Sequence, residues 1–225
     1  MTLRSLANTT GNGLQILCVV VVAIVVVRHE FFAPKPPSTT TSVNLSKGQW
    51  ATAIQRGHRF GSAQAPVTIV EFADFECPAC RQFEGLLQSA RKKYPTEVSI
   101  LFRHWPLSYH HQAYPAARAA ECAGAQGRFE QFHDAIYAEN DLLGQKPYAQ
   151  FAREAGVPDV EAFAKCASLT DSVPAIEADV REAHALNGTG TPLLIINGTQ
   201  ITNGGADSTV LDGLIRDALR RKATK

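Results

Sequence analysis

Val67-Thr68-Ile69-Val70-Glu71-Phe72-Ala73-Asp74-Phe75-Glu76-Cys77-Pro78-Ala79-Cys80 opens as a run of β-branched residues, crosses a short acidic turn and ends in two cysteines two residues apart. The first half reads as a buried strand. Beyond it Phe83, Leu86, Leu87, Ala90 and Tyr94 recur at helical spacing, while Arg81, Gln82, Arg91, Lys92 and Lys93 fall elsewhere. The cysteine pair therefore sits where a strand hands over to a helix. Pro78 suits the first helical position, where no backbone donor is needed. Cys77 then lies at the cap, beside free N–H groups and the positive end of the helix dipole. Such surroundings stabilise a thiolate and lower its pKa by roughly one to five units. Cys80, one turn further in, is close enough to attack a mixed disulfide formed at Cys77. The pattern predicts a dithiol/disulfide redox pair, with Cys77 attacking and Cys80 resolving. A zinc knuckle would need a second Cys/His pair at similar spacing, and Cys18, Cys122 and Cys166 supply none. No metal ligand set and no cofactor is expected.

The chain has 225 residues and a net charge of +1, enough for one medium domain with an N-terminal extension and without the basic excess of a nucleic-acid binder. Its five cysteines leave four for pairing once Cys18, inside an apolar run, is set aside. Paired non-catalytic cysteines point to an oxidising compartment. Residues 1–13 read as an N-terminal tail. The apolar run 14–27 is shorter than the roughly 20 residues of a comfortable membrane span. It suits a signal-peptide core or a short transmembrane anchor. No small-x-small cleavage site follows it, which favours the anchor. Residues 28–46, with Pro34, Pro36 and Pro37 followed by Ser and Thr, read as a linker that holds the domain of 47–225 away from a membrane.

Within that domain Val67, Ile69 and Glu71 share one strand face, and Thr68, Val70 and Phe72 the other. A central strand buries both, so Glu71 is a candidate buried acid beside the cysteines. Desolvation would raise its pKa and let it pass protons to or from Cys80; the alternative is a carboxylate at the core's edge that reaches water or a lysine. Val98–His104 reads as a second strand, parallel to the first across the helical crossover. About 108–170 carries no strand signal and reads as a helical insertion, with helices around 113–125, 129–138, 148–155 and 160–167. It holds Cys122 and Cys166. A bridge between them would close a loop of roughly 40 residues and stabilise by about 4 kcal/mol; otherwise they are buried free thiols. His110, His111, His133 and His184 read as surface or core histidines. Leu193–Ile196 and the residues after Asn197-Gly198 form a predicted hairpin. Thr191-Pro192, just before that strand, is a candidate cis bond, which would leave backbone groups free to pair with an extended peptide. A last amphipathic helix begins at Asp207 or Ser208.

The order of strand, Cys-x-x-Cys helix, strand, helical insertion, helix, Thr-Pro loop, hairpin and helix resembles the DsbA-like branch of the thioredoxin superfamily over about 47–225. Ala65-Pro66-Val67 through Phe72, Asp74 through Cys80, Arg118-Ala119-Ala120-Glu121-Cys122-Ala123 and Gly190-Thr191-Pro192 carry the likeness. It implies an α/β, thioredoxin-like fold, with Cys77 as exposed nucleophile, Cys80 as buried partner, Glu71 as buried acid and Pro192 as a cis-proline facing the cysteines. It also implies a periplasmic enzyme, anchored in the bacterial inner membrane, that oxidises exported proteins with free cysteines. A membrane quinone-linked partner, DsbB-like or vitamin-K-epoxide-reductase-like, would reoxidise it. The best-known members place His where this chain has Ala79, which predicts a weaker oxidant. Thr191 resembles the isomerase branch, so a reductase or isomerase is the alternative. A non-catalytic peptide-binding module is the second.

Overall fold

The computed structural model describes residues 41–202 and 207–223. The apolar run 14–27 lies outside them; among the described residues no helix is long and apolar enough to cross a membrane.

A six-stranded sheet runs in the order β1 (Thr41–Asn44), β6 (Thr199–Thr202), β5 (Leu193–Ile196), β3 (Val67–Ala73), β4 (Val98–His104), β2 (His58–Phe60). β3 and β4 are parallel, with Glu71 opposite Phe102, and all the other neighbours are antiparallel. Helix α1 is Lys47–Ala53 and the crossover helix α2 is Pro78–Lys93. The insertion comprises α3 (Ala113–Gly124), α4 (Phe129–Ala138), α5 (Tyr148–Glu154) and α6 (Val160–Ala167), and α7 (Pro174–Ala185) and α8 (Ser208–Ala223) follow.

The pleat of β3 divides the core in two. Val67 and Ile69 join a cluster with Phe83 and Leu87 of α2, Ile215 of α8 and the insertion; Val70 and Phe72 join another with Ala53 of α1 and Ala183 of α7. Such two-sided burial explains why β3 carries no clean hydrophobic alternation.

Arg103 of β4 is fully buried on the α7 side. It donates to Asp179 Oδ1 and Glu182 Oε2, each at 2.7 Å, and to the Ala53 carbonyl at 2.9 Å. Asp179 Oδ2 also accepts from the His104 amide at 2.9 Å. The network pins α7 to β4 and fixes where the chain re-enters the sheet.

The β5–β6 turn is Asn197-Gly198, with φ of 46° and 84°. Asn197 Oδ1 accepts from the Thr68 amide at 2.8 Å and its Nδ2 donates to Pro66 O at 2.9 Å, so the hairpin is stitched to the start of β3.

Two strands were not anticipated. β1 lies inside the stretch read as linker; its four residues are all exposed, so no buried face marks it. β2 is three residues long, below what periodicity resolves.

Candidate active site

The turn that delivers Cys77 is built around Asp74, which is 1% exposed. Its Oδ1 accepts from the Glu76 amide at 2.7 Å, and its Oδ2 accepts from the Leu107 amide and lies against His110 Nδ1, both at 2.8 Å. Its carbonyl accepts from the Cys77 amide at 3.1 Å. The insertion closes over the same turn: Tyr137 Oη donates to Asp74 O and Asn140 Nδ2 to Phe75 O, each at 3.3 Å.

Cys77 is the N-cap of α2, in an extended conformation with Pro78 directly after it. Cys77, expected to be the exposed nucleophile, is itself buried at 7% exposure because the Thr191-Pro192 loop lies against it; Cys80 is fully buried, and both are free thiols. The Cys77 thiol faces the carbonyl of Thr191 at 3.7 Å, across the cis Thr191–Pro192 bond. The structure thus brings together Cys77, Cys80, Thr191 and Pro192, which are far apart in sequence.

The two thiols are driven apart in acidity. Cys77 is lowered to about 5, first by a hydrogen bond from the Cys80 thiol, then by the Thr191 hydroxyl and the Cys80 and Ala79 amides, against burial. Among the described residues the buried Thr191 hydroxyl makes no hydrogen bond of ordinary geometry, and the thiol's measured contact is with the Thr191 carbonyl. Cys80 is pushed well up, first by burial and then by its bond to Cys77. One sulfur is thus ready to be a thiolate and the other is held as a thiol, an assignment that belongs to the pair and not to isolated groups.

Glu71 is 1% exposed, and among the described residues neither carboxylate oxygen has a partner. Burial raises its pKa well above the ordinary range, reinforced by Glu84 and then Cys77. Glu84, also buried and unpartnered, is raised by burial. His133 Nε2 stands 3.7 Å from Glu84 Oε2, too long for a hydrogen bond. A carboxyl in such a place is held as the neutral acid and can give its proton to a sulfur leaving as thiolate.

Away from this centre, Cys122 of α3 and Cys166 of α6 form a disulfide with Cα atoms 5.9 Å apart. It staples the two ends of the insertion together and has no part in the exchange site. Sequence reasoning gave no role to Asp74, Tyr137, Asn140 or Glu84, and left His110 as surface or core. Glu84 was within reach: four residues after Cys80 on a helix, it shares that cysteine's face. The others act through contacts between distant segments.

Comparison with known proteins agrees with this geometry. The family model described as thioredoxin matches residues 54–214. The chain resembles a thioredoxin-like oxidoreductase from Silicibacter pomeroyi, at 25% identity and a TM-score of 0.62, over 78% of this chain and 98% of that one. It also resembles DsbA2 of Pseudomonas aeruginosa, at 29% identity and a TM-score of 0.52, over 70% of this chain and 91% of that one. A curated relative, the Na(+)/H(+) antiporter NhaA 1 of Mycolicibacterium gilvum, is 33% identical over 147 residues, which is 64% of this chain and 24% of the antiporter. The chain spans about a quarter of the length of such curated relatives, so the likeness is to one segment of a longer protein.

Proposed function

The chain belongs to the thioredoxin family, and from that premise we propose that it is a DsbA-like thiol:disulfide oxidoreductase that passes a Cys77–Cys80 disulfide to exported proteins. The observation that carries this reading is the placement of the two thiols, Cys77 capping α2 against the Thr191 carbonyl and Cys80 fully buried one turn behind it; that placement lowers Cys77 to about 5 and raises Cys80. A substrate thiolate attacks Cys77 Sγ of the oxidised pair and forms a mixed disulfide. Cys80 departs with the electron pair of the broken bond and takes a proton, for which the buried Glu71 carboxyl is a source. A second substrate thiolate then attacks the substrate sulfur. A new substrate disulfide forms and Cys77 leaves as a thiolate, a good leaving group because its pKa is low. Two electrons pass from two substrate thiols to the pair. The backbone of Thr191, beside Cys77, is where an extended substrate segment would align.

On the same reading, residues 14–27 anchor the domain of 47–225 on the periplasmic side of a bacterial inner membrane. A quinone-linked membrane partner, DsbB-like or vitamin-K-epoxide-reductase-like, returns the pair to the disulfide. One observation favours the opposite direction, reduction or isomerisation. Ala79 lies between the cysteines, so no cationic side chain there stabilises the Cys77 thiolate. The reduction potential of the pair, equilibrated with glutathione, separates the two. A value well above about −270 mV supports the donor of disulfides, and one at or below it supports the reductase.

A further inference from the structure

Three residues on three elements meet behind the active-site turn. His58 begins β2, His104 ends β4 and Glu121 lies on α3. His58 Nε2 is 2.7 Å and His104 Nε2 2.9 Å from the same atom, Glu121 Oε1. The three ligand atoms all fall within 4.8 Å of one another. We propose that His58 Nε2, His104 Nε2 and the Glu121 carboxylate form a binding site for a divalent cation of the zinc class, distinct from the cysteine pair.

The donor set argues for that class. Two imidazole nitrogens and one carboxylate suit four-coordinate zinc with water in the fourth place, whereas calcium and magnesium take oxygen ligands. The rings are set in place beforehand. His58 is stacked on Phe129 with centroids 3.3 Å apart and planes 4° apart, and His104 stands edge-on to Phe102 at 5.2 Å. Gly124 leaves the room this needs, since a Cβ there would lie 3.3 Å from both His58 Cε1 and Phe129 Cδ2. The His104 side chain is 1% exposed, but those of His58 and Glu121 are 29% and 22% exposed, so solvent reaches two of the three ligands, and a surface cavity of about 290 Å³ opens beside His58. Zinc bonds of about 2.0–2.1 Å in a tetrahedron separate ligand atoms by roughly 3.3 Å, so the carboxylate and imidazoles need to open by only about half an ångström. The ion takes the place of the hydrogen-bonded protons and ties the β2 edge and the end of β4 to the insertion. His104 also packs against Phe75, with centroids 6.0 Å apart, so the clamp reaches the residue two before Cys77.

The test uses the full chain, without a histidine tag, stripped with EDTA and with Cys77–Cys80 oxidised so that those sulfurs cannot ligate. Zinc chloride is titrated by calorimetry, and Co²⁺ is then added to read the visible bands of a four-coordinate ion. The expected result is one ion per chain, with affinity reduced by at least about tenfold in both His58→Gln and Glu121→Gln. His58 is partly exposed, so its variant remains a fair test if Glu121→Gln fails to fold. Absence of saturable uptake by the oxidised wild type overturns the proposal. So does uptake that His58→Gln leaves unchanged. Neither result bears on the redox chemistry, which the same preparations report separately.

Discussion

Raising the pH across the Cys77 pKa should change how many protons accompany reduction of the pair. Cys77 is lowered from 9.0 to about 5 and Cys80 is raised, so reduction takes up two protons below pH 5 and one above it. For a two-electron couple each proton is worth about 30 mV per pH unit. The potential should therefore fall by about 59 mV per unit below the break and by about 30 mV per unit above it. The sign follows from the depressed value. Thiolate stabilisation of the reduced protein is complete above the unfolded pKa and is lost as pH falls through about 5. At pH 7 an ordinary thiol stands two units above the pH and Cys77 two units below it. The reduced form then gains two units' worth, at most about 2.7 kcal/mol or about 58 mV. That is an upper figure, because solvent at the mouth of the site screens the donors. The assay is equilibration with glutathione or dithiothreitol from pH 4 to 8, with thiolate absorbance followed in parallel. A slope that stays near 59 mV per unit through neutral pH would refute the reasoning, since Cys77 would then be a thiol where the structure makes it a thiolate.

Cys80→Ser should leave attack at the Cys77 thiolate intact and block resolution, so that a mixed disulfide with an oxidised model peptide persists on a non-reducing gel; a product that turns over freely would deny Cys80 its role. Burial keeps Glu71 protonated at pH values where the unfolded chain has lost that proton, so wild type should lose stability relative to Glu71→Gln as pH rises. The gap should widen by about 1.4 kcal/mol per unit above an unfolded value of about 4.3, and urea melts at pH 5 and 7 measure it. Arg103→Leu leaves Asp179 without its cation and Glu182 with Arg56 alone, and should cost about 3–5 kcal/mol in chemical denaturation. Cys122→Ser with Cys166→Ser should cost about 2–5 kcal/mol, while the potential of Cys77–Cys80 stays where it was.

What could be read in the sequence was local. A strand of β-branched residues, a proline after a cysteine and a second cysteine one turn on lie within one short segment, and their chemistry follows from helix geometry alone. The hairpin was legible for the same reason, because Asn197-Gly198 directly after an apolar strand favours a tight turn. The polar interior was not. Arg103 and His104 read as the polar end of a strand, yet both are buried, because α7 brings Asp179 and Glu182 against the one and α3 brings Glu121 against the other. Nothing near residue 103 or 104 announces partners so far along the chain. Asp74 likewise looked like a turn residue, and its contacts to the Leu107 amide and His110 appear only once β4 is in place. β1 escaped because an exposed strand on the edge of a sheet needs no hydrophobic residue to form.

The placement of the insertion has a consequence for how the chain acquires its fold. β3 is the central strand, with β4 on one side and β5 on the other, but the whole helical insertion and α7 intervene before β5 is reached. The contacts among α3, α4, α5 and α6 all lie within residues 113–167 and can form once that stretch is made, whereas the β3–β5 pairing must wait for almost the last part of the chain. Until then β3 has an open, apolar edge, able to pair with another incompletely folded chain. A protein that makes or breaks disulfides in others thus has its own vulnerable interval, one that ends only when the Thr-Pro loop and the strand behind it arrive together.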